Sequence, residues 1–358
     1  MAIYFMFAIL NFFLYGILRK IKHGKKMYLS IMILVLMFVA SMRRWNIGAD
    51  YPTYVNIFQN IQSIYKEYPM ERGYLYANYL ISFFTDNYVC FSFVVEIFVF
   101  FCIRKYILRY VSQEGYFWVM LVFVLNPYFY VQSCFNVIRQ TVAIAIILLS
   151  IKYLFKEEWT YFIIFICVAG QIHKVAYIFA LLIFFFKINW TRKKFLIILL
   201  ITTFLNLFIN NDHIFTRIAR VFGYANYIGF GETEFNFGIF ILFVVLVEVL
   251  FLLNYTYMYD DRYEKFFVDL YFLALSLLPL FVLNDIAYRV YVGMGILSLP
   301  AIPLVIRTYE RKKQEKYLEY YIVKVGYVAY YFIFMSFFIY KLFLYKNSSY
   351  IPFLFFWQ

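Results

Sequence analysis

Trp159–Phe186 reads WTYFIIFICVAGQIHKVAYIFALLIFFF, an apolar run interrupted only at Gly170-Gln171-Ile172-His173-Lys174. A helix crosses the hydrocarbon core of a bilayer with about 20 apolar residues. These 28 residues therefore exceed one span and fall short of two. A broken helix is tolerated at membrane depth where it lines a protein cavity. The run predicts a membrane protein with a helix that breaks beside such a cavity.

The composition of the whole chain agrees with this interpretation. Of its 358 residues, 65% are hydrophobic and 25% aromatic, and the mean hydropathy is +0.74. Soluble domains are usually about 45–50% apolar, and disordered chains are poorer still in apolar residues. Both classes are excluded, and the long unbroken apolar runs also exclude the alternating pattern of a membrane β-barrel.

The apolar runs predict an all-α polytopic membrane protein, one domain over residues 1–358 with outer loops 43–86 and 210–236. About ten helices, a broken half-helix pair at Trp159–Phe186 and an interfacial helix near Tyr74–Phe84 would surround a central cavity open to the outer face. The predicted spans are Ala2–Leu18, Met27–Met42, Asn87–Ile103, Tyr116–Gln132, Phe135–Phe155, Phe195–Ile209, Phe237–Tyr259, Phe266–Leu283, Asp285–Ile306 and Tyr321–Leu344.

The basic residues predict the orientation. With these spans, 21 Lys and Arg residues fall on one side and 8 on the other. The richer side is cytoplasmic by the positive-inside rule, which places both termini outside. Basic loops then flank Trp159–Phe186 on both sides, so the run must cross an even number of times, as two half-helices do. One long span with the Lys187 cluster outside is the alternative.

Topology explains most of the net charge of +13 without nucleic acid. It does not explain Arg139, Lys174 and Arg289, which fall inside apolar segments. Each such cation costs at least about 2.5–3.5 kcal/mol to insert, so it usually faces a partner or a cavity. An internal salt bridge would account for one of them, and Asp285 is a candidate partner for Arg289 at i, i+4. Three together favour a polar cavity.

The first outer loop carries the densest polar cluster, Arg43-Arg44-Trp45-Asn46-Ile47-Gly48-Ala49-Asp50-Tyr51-Pro52-Thr53-Tyr54. Arg43 and Arg44 oppose the positive-inside rule and suit an anionic ligand such as phosphate. Asp50 is either the N-cap of a helix with Pro52 in its first turn, or it orients an arginine and contacts sugar hydroxyls. Tyr51 and Tyr54 belong to the same predicted binding region.

Further polar candidates lie along the rest of the chain. Asn136, Arg139 and Gln140 are spaced i, i+3, i+4, which predicts one polar face on a helix. Glu71 follows in the first outer loop. In the second outer loop, Arg217 and Arg220 lie at i, i+3 among aromatic residues that suit sugar rings.

The order of these features carries a resemblance. The segments are Arg43-Arg44…Gly48-Ala49-Asp50-Tyr51…Tyr54, Glu71-Arg72-Gly73-Tyr74, Asn136-Val137-Ile138-Arg139-Gln140, His173 and Tyr288-Arg289. The set resembles the EpsG/Wzy-type family of bacterial polysaccharide polymerases and runs across most of the chain. Only Phe195–Phe281 offers no matching motif.

The resemblance implies an inverting glycosyltransferase of the bacterial cytoplasmic (inner) membrane, with its active site facing the periplasm or outside. It would join oligosaccharide repeat units carried on undecaprenyl pyrophosphate, which serve as both donor and acceptor. No cofactor, nucleotide sugar or nucleic acid is expected. Membrane lipid surrounds the protein, and a chain-length regulator and a flippase are candidate partners. A flippase for the same lipid-linked substrate and an O-antigen ligase-like enzyme are the alternative functions.

The chemistry assigns candidate roles. Fixed arginines would stabilise the leaving pyrophosphate without a metal, with Arg139 and Arg289 deepest and Arg43 or Arg44 at the rim. No outer-loop pair of acidic residues suggests a metal site. Glu71, Asp50 and His173 are the candidates for the base that takes the acceptor proton. His173 could instead bind the pyrophosphate beside Lys174, and the sequence leaves this choice open.

Overall fold

Helices make up the ordered elements of this computed structural model, which describes residues 2–208, 249, 251–252, 254–281, 287–311, 325–333, 335–336 and 353–357. Within these residues the β-structure is limited to an isolated antiparallel bridge between Arg43 and Phe355. The all-α prediction is therefore confirmed for the described part of the chain. The chain separates into two compact units, residues 1–185 with 309–358, and residues 186–308.

The first unit contains most of the helices. They are α1 (Ala2–Leu18), α2 (Gly24–Ser41), α3 (Tyr51–Gln59), α4 (Ile61–Ile64), α5 (Arg72–Ser82), α6 (Tyr88–Tyr110), α7 (Tyr116–Leu125), α8 (Val131–Phe135), α9 (Ile138–Phe155) and α10 (Trp159–Ile172). Short 3₁₀ turns cover Gln113–Gly115 and Lys174–Leu181, and α11 (Leu182–Lys187) follows. Helix α2 packs on α6, α6 on α9, and α9 on α10, which in turn contacts α5.

The first outer loop folds into the short helices α3 to α5. Pro52 lies in the first turn of α3, where its missing N–H costs nothing. Tyr51, Tyr54 and Tyr74 pack with Ile138 of α9 in one buried cluster. The predicted short helix near Tyr74–Phe84 is confirmed as α5. These contacts fix the outer loop against the start of a long apolar helix.

The predicted spans Tyr116–Gln132 and Phe135–Phe155 are wrong in their boundaries. The chain is not helical from Asn126 to Tyr130 or at Asn136-Val137. Helix α7 ends at Leu125, since Pro127 cannot continue the backbone ladder and restricts Asn126 to an extended conformation. The short helix α8 follows, and α9 begins only at Ile138. Asn136 therefore lies before the helix that carries Arg139 and Gln140. The prediction that these three residues share one helical face is wrong.

The predicted break in Trp159–Phe186 is confirmed at His173. Helix α10 ends at Ile172, and His173 adopts an extended backbone with φ −154° and ψ 119°. The following 3₁₀ segment packs against α10, and Gln171 Nε2 donates to the Tyr177 hydroxyl over 3.0 Å. An added Cβ at Gly170 would lie 2.2 Å from the Tyr177 ring, so the absence of a side chain at Gly170 allows the ring to lie against α10. The geometry favours two half-helices over one continuous span.

The second unit contains long helices and a buried ion pair on one of them. Its described α-helices are α12 (Arg192–Phe208), α13 (Arg262–Phe281), α14 (Ala287–Leu297) and α15 (Ala301–Arg311), of which residues 301–308 belong to this unit. Helix α13 packs against both α12 and α14. On α13, Asp269 accepts from Lys265 over 2.8 Å and from the Tyr255 hydroxyl. The contact with Tyr255 joins α13 to the 3₁₀ turn at Tyr255–Tyr257.

The predicted count of about ten spans is not confirmed. Within the described residues, Gly24–Ser41 and Ile138–Phe155 are long and apolar enough to cross a membrane. The pair Arg289–Leu297 and Ala301–Thr308 would add a third, although Pro300 separates its helices and they bend by 63°. Predicted spans Phe237–Tyr259 and Tyr321–Leu344 lie mostly outside the described residues.

Candidate functional site

Glu71 is the centre of a polar cluster in the first unit. The residue occupies the N-cap position of α5 without a side-chain capping hydrogen bond, and its carboxylate forms an ion pair with Arg139 of α9 through Oε2. Its other oxygen, Oε1, lies 3.3 Å from Nδ1 of His173 and accepts the backbone N–H of Lys174 over 3.2 Å. The carboxylate thus joins the outer loop, a long apolar helix and the break in the half-helix pair.

The electrostatics of Glu71 follow from these partners. Burial disfavours the carboxylate charge, but the hydrogen bond with His173 and the positive charge of Arg139 outweigh it and lower the pKa of Glu71 to about 2. The carboxylate is therefore ionised at every physiological pH. A carboxylate with so low a pKa accepts protons poorly, which disfavours Glu71 as the general base.

Aromatic side chains surround Arg139. Its Nε donates to the Tyr54 hydroxyl over 3.5 Å, and the guanidinium lies 5.7 Å from the Tyr54 ring and 5.9 Å from the Tyr74 ring. The two tyrosine rings meet edge to face, with centroids 5.9 Å apart. The guanidinium is held in place by an ion pair, a hydrogen bond and two rings, so it needs little reorganisation to meet a ligand charge.

Gly73 explains why Glu71 reaches the helix break. An added Cβ at Gly73 would lie 2.7 Å from the carbonyl oxygen of Gln171 and 2.8 Å from its Cβ. Only a glycine allows α5 to approach the end of α10 this closely. The sequence Glu71-Arg72-Gly73-Tyr74 therefore places a carboxylate, a close contact and an aromatic ring on one short segment.

The loop before α3 is fastened to the non-helical segment before α9. The backbone N–H of Asp50 donates to Asn136 Oδ1 over 2.7 Å, and Asn136 Nδ2 donates to Gln132 Oε1 over 3.3 Å. Asp50 occupies the N-cap position of α3 without a side-chain capping hydrogen bond. Asn136 thus has a positioning role, and the predicted N-cap position of Asp50 is confirmed, although its side chain forms no capping hydrogen bond.

Arg43 is completely buried and does not lie at a rim. Its NH1 lies 3.5 Å from Glu96 Oε1, and it donates to the carbonyl oxygen of Ala40. The guanidinium stacks on the Tyr51 ring at 3.7 Å, and the Tyr51 hydroxyl is hydrogen-bonded to Ser92. The expectation that Arg43 binds an anion at the outer surface is corrected by this geometry, because Glu96 neutralises its charge inside the protein.

The remaining predicted residues are dispersed. Arg44 is half-buried, its backbone N–H donating to Leu354 over 2.9 Å. Lys174 is exposed and Gln140 is buried. Arg289 lies in the second unit and is buried there. Arg217 and Arg220, with loop 210–236 and Asp285, lie outside the described residues.

Sequence reasoning missed Glu96. This carboxylate lies within the apolar helix α6, and a carboxylate in such a segment is as costly as an arginine. It should have predicted an internal cation partner in the same way that Arg139 predicted a cavity. Considering Glu96 beside Arg43 would have removed Arg43 from the surface candidates.

The Glu71 cluster can orient an imidazole and present positive charge. An ionised Glu71 carboxylate can only accept, so the facing Nδ1 of His173 carries the proton and donates to it. In the neutral form of such an imidazole the lone pair is on Nε2, the arrangement that prepares a histidine for general-base work. Arg139 and Lys174 supply positive charge beside it. Among the described residues, no three His, Cys, Asp or Glu side chains form a group that could hold a metal ion.

These features define a helical membrane protein with a buried acid–cation–imidazole cluster at a broken helix. A model of the EpsG family matches residues 26–355, and the chain belongs to that family. No curated protein and no solved structure matches the chain. Family membership and the apolar helices together indicate a membrane protein of polysaccharide biosynthesis with a glycosyltransferase-like polymerase activity.

Proposed function

We propose that the protein is an inverting glycosyltransferase that polymerises oligosaccharide repeat units at the outer face of a bacterial cytoplasmic membrane. Both the donor and the acceptor are repeat units linked to undecaprenyl pyrophosphate. The growing chain is transferred from its lipid carrier to a sugar hydroxyl of the next repeat unit. Metal ions and nucleotide sugars are not required in this scheme.

One observation carries the proposal. Four separate segments meet around the Glu71 carboxylate and the Arg139 guanidinium. Glu71 contacts Arg139 of α9 and, at the helix break, His173 and the backbone of Lys174. Arg139 in turn contacts Tyr54 of α3 and Tyr74 of α5. Three of the family-like motifs thus converge with His173 on one cluster. A buried set of opposite charges and an imidazole is typical of catalytic sites.

The geometry supports His173 as the base. Its Nε2 would take the proton of the acceptor hydroxyl as the hydroxyl oxygen attacks the anomeric carbon of the donor. The bond between that carbon and the pyrophosphate oxygen breaks, and the pyrophosphate leaves with the electron pair. Glu71 acts through His173, since its carboxylate holds Nδ1–H and stabilises the imidazolium that forms.

Arg139 and Lys174 would stabilise the departing pyrophosphate. Charge develops on the leaving oxygen in the transition state, and cations fixed in advance lower the barrier there. Arg139 is anchored by Glu71 and Tyr54, whereas Lys174 is exposed and can follow the lipid-linked group. Arg44 and Arg289 stay predictions for this role.

The test is a polymerisation assay with purified protein and a lipid-linked repeat unit, without nucleotide sugars and in the presence of a chelator. We expect a ladder of longer glycans. Arg139→Gln and His173→Ala should abolish the ladder, with a fall of at least about 100-fold in initial rate for a lost electrostatic or proton-transfer group. Arg289→Ala tests the remaining arginine in the same assay.

Lys156→Ala is the matched control for Arg139→Gln. Lys156 follows the last residue of the helix that begins beside Arg139, and its side chain is 61% exposed with a loose 3.7 Å contact to Glu158. This variant should polymerise normally. Persistent monomer with wild-type protein, accompanied by movement of the lipid-linked unit between leaflets, would contradict the polymerase and favour a flippase. Full activity in both Arg139→Gln and His173→Ala would remove the cluster from the mechanism.

A further inference from the structure

A groove on the outer loop lies beside the Glu71 cluster and has no role in the chemistry above. It is lined by Tyr65, Lys66, Arg72, Gly73 and Tyr76, and its volume is about 420 Å³. This volume falls within the range of about 300–1,000 Å³ for small-molecule sites. The lining combines two aromatic rings with two cations and contains no carboxylate.

The aromatic rings are placed to act as platforms. Tyr65 is half-buried and stacks on Tyr79 with ring centroids 4.3 Å apart, so it is held rigid. Tyr76 is 56% exposed, and it lies four residues after Arg72 on the same face of α5. Rigid tyrosines supply large contact areas at low cost in conformational entropy. Such rings suit the apolar faces of sugar rings.

The cations are available for a ligand. Arg72 NH1 donates to the backbone carbonyl oxygens of Tyr65, over 3.1 Å, and Lys66, which fixes the guanidinium at the edge of the groove. In the part of the chain that the structure describes, neither Lys66 nor Arg72 forms an ion pair with a carboxylate. Both side chains are exposed. An anionic group on a bound sugar would meet two uncompensated positive charges.

The groove adjoins the cluster through the start of α5. Arg72 and Gly73 directly follow Glu71, and Gly73 both lines the groove and contacts Gln171 at the helix break. A ligand in the groove would therefore contact Arg72 and Gly73, which are the neighbours in sequence of the carboxylate that binds His173 and Arg139. This position suits the glycan part of a substrate whose reacting end lies at the cluster.

We propose that this groove binds an acidic saccharide, with the sugar rings on Tyr65 and Tyr76 and a sugar carboxylate or phosphate on Lys66 and Arg72. As the glycan subsite of the polymerase, the inference rests on the proposed function. It identifies the substrate class as repeat units that carry an anionic sugar. Binding of the saccharide itself does not depend on catalysis, so the two proposals can be tested apart.

The experiment measures binding of two hexasaccharides by calorimetry to the full chain in phosphatidylcholine nanodiscs. Hexagalacturonate is the anionic probe and maltohexaose is the neutral one. We expect hexagalacturonate to bind at least tenfold more tightly and to weaken as salt is raised. Tyr76→Ala should weaken its binding at least tenfold, and Lys66→Gln three- to tenfold with a smaller salt dependence.

Tyr161→Ala is the matched control, because Tyr161 is 57% exposed and lies on α10 outside the groove. This variant should bind hexagalacturonate as tightly as the wild type does. Equal binding of the two hexasaccharides, or equal loss in Tyr76→Ala and Tyr161→Ala, would overturn the proposal. So would displacement of hexagalacturonate by anionic lipid added to the disc, since the groove would then hold a lipid headgroup.

His173→Ala separates the failure of this inference from that of the proposed function. The variant should lose the glycan ladder and keep hexagalacturonate binding. Groove binding that depends on Tyr76, in a wild-type protein that never forms a ladder, would support the saccharide site and refute the polymerase. A ladder in the absence of any hexagalacturonate binding would refute the groove and leave the polymerase standing.

Discussion

The first unit contains two buried arginine–glutamate pairs that differ in their surroundings. Arg43 and Glu96 are sealed, with side chains 0% and 3% exposed, and the pair contacts a tyrosine face and a backbone carbonyl. Arg139 and Glu71 keep 12% and 8% of their side-chain exposure, and Glu71 also contacts His173. The same two residue types therefore form one closed pair and one pair that a ligand can approach.

The two ion pairs differ in their predicted roles: the closed pair stabilises the fold, and the open pair takes part in the proposed chemistry. The closed pair joins the end of α2 to α6 and, through Tyr51, to the start of α3, so removal of one member, which leaves the other charge unpaired, would loosen the loop that carries Tyr54. The open pair divides the two oxygens of Glu71 between a guanidinium, an imidazole and a backbone N–H. In the proposed mechanism Arg139 can turn from Glu71 to the pyrophosphate of the substrate, which the closed pair cannot do.

The largest expected effect is on stability, at the closed pair. Glu96→Ala leaves the charge of Arg43 buried without its partner, which should cost about 3–5 kcal/mol of unfolding free energy. Denaturant titration in mixed micelles measures the change. Glu158→Ala is the control, because Glu158 is 39% exposed and forms a loose surface pair worth about 0–1 kcal/mol. Similar losses in the two variants would show that the closed pair is not structural.

Replacing both members of each pair compares the two directly. Arg43→Met with Glu96→Leu removes the closed pair without leaving an unpaired charge, so stability and polymerisation should stay near those of the wild type. Arg139→Met with Glu71→Leu should also fold, but its initial rate should fall at least about 100-fold because the fixed charge is gone. A stable yet inactive Arg43–Glu96 replacement would make that pair part of the site.

The pH dependence of stability should reveal the ionised Glu71 of the open pair. The pKa of Glu71 is lowered from 4.5 to about 2, so its stabilising contribution is complete above pH 4.5 and is lost as the pH falls toward 2. We expect the unfolding free energy of the wild type to fall more steeply between pH 4.5 and 3 than that of Glu71→Gln. The other carboxylates titrate in both proteins and cancel in the difference. Parallel curves over this range would contradict the low pKa.

The two pairs also show how far sequence reasoning reached. The apolar runs, the break at His173 and the short helix α5 followed from hydropathy and from helix length, and the structure contains them. These features depend on local composition, which one sequence records fully. For the cation in α9 the sequence favoured a polar cavity over an internal ion pair, and the structure pairs it with Glu71.

The remaining features depend on contacts between distant segments. Arg43 precedes Glu96 by 53 positions, and nothing in the local sequence indicates that α6 supplies its partner. Glu71 is ordinary as a loop carboxylate until Gly73 packs on Gln171 and brings it to His173. The non-helical segment before Ile138 was missed because Asn136 and Val137 give no strong breaking signal, unlike Pro127.

Replacement of Gly48, in the loop between Arg43 and α3, should have a smaller effect on stability than Glu96→Ala. Gly48 has φ +104°, and an added Cβ would lie 1.9 Å from the carbonyl oxygen of Phe135. Gly48→Ala should cost about 1–3 kcal/mol of unfolding free energy through backbone strain alone. Gly16→Ala is the control, because nothing lies within 4 Å of its added Cβ, and it should be neutral or stabilising by about 0.5–1 kcal/mol. A neutral Gly48→Ala would show that this loop adapts.

The last replacement is at Gly73, on the open pair. Gly73→Ala must push α5 away from Gln171, because the atoms that lie 2.7 Å and 2.8 Å from the added Cβ are a backbone oxygen and a Cβ, which cannot rotate away. The better helix propensity of alanine within α5, about 1 kcal/mol, offsets only part of this cost. The unfolding free energy should therefore fall, but by less than in Gly48→Ala, while the displaced Glu71 holds His173 less well and the polymerisation rate falls severalfold. Unchanged activity would mean that catalysis does not need the Glu71–His173 contact. Gly48→Ala, which leaves that contact in place, should lose stability without this fall in rate.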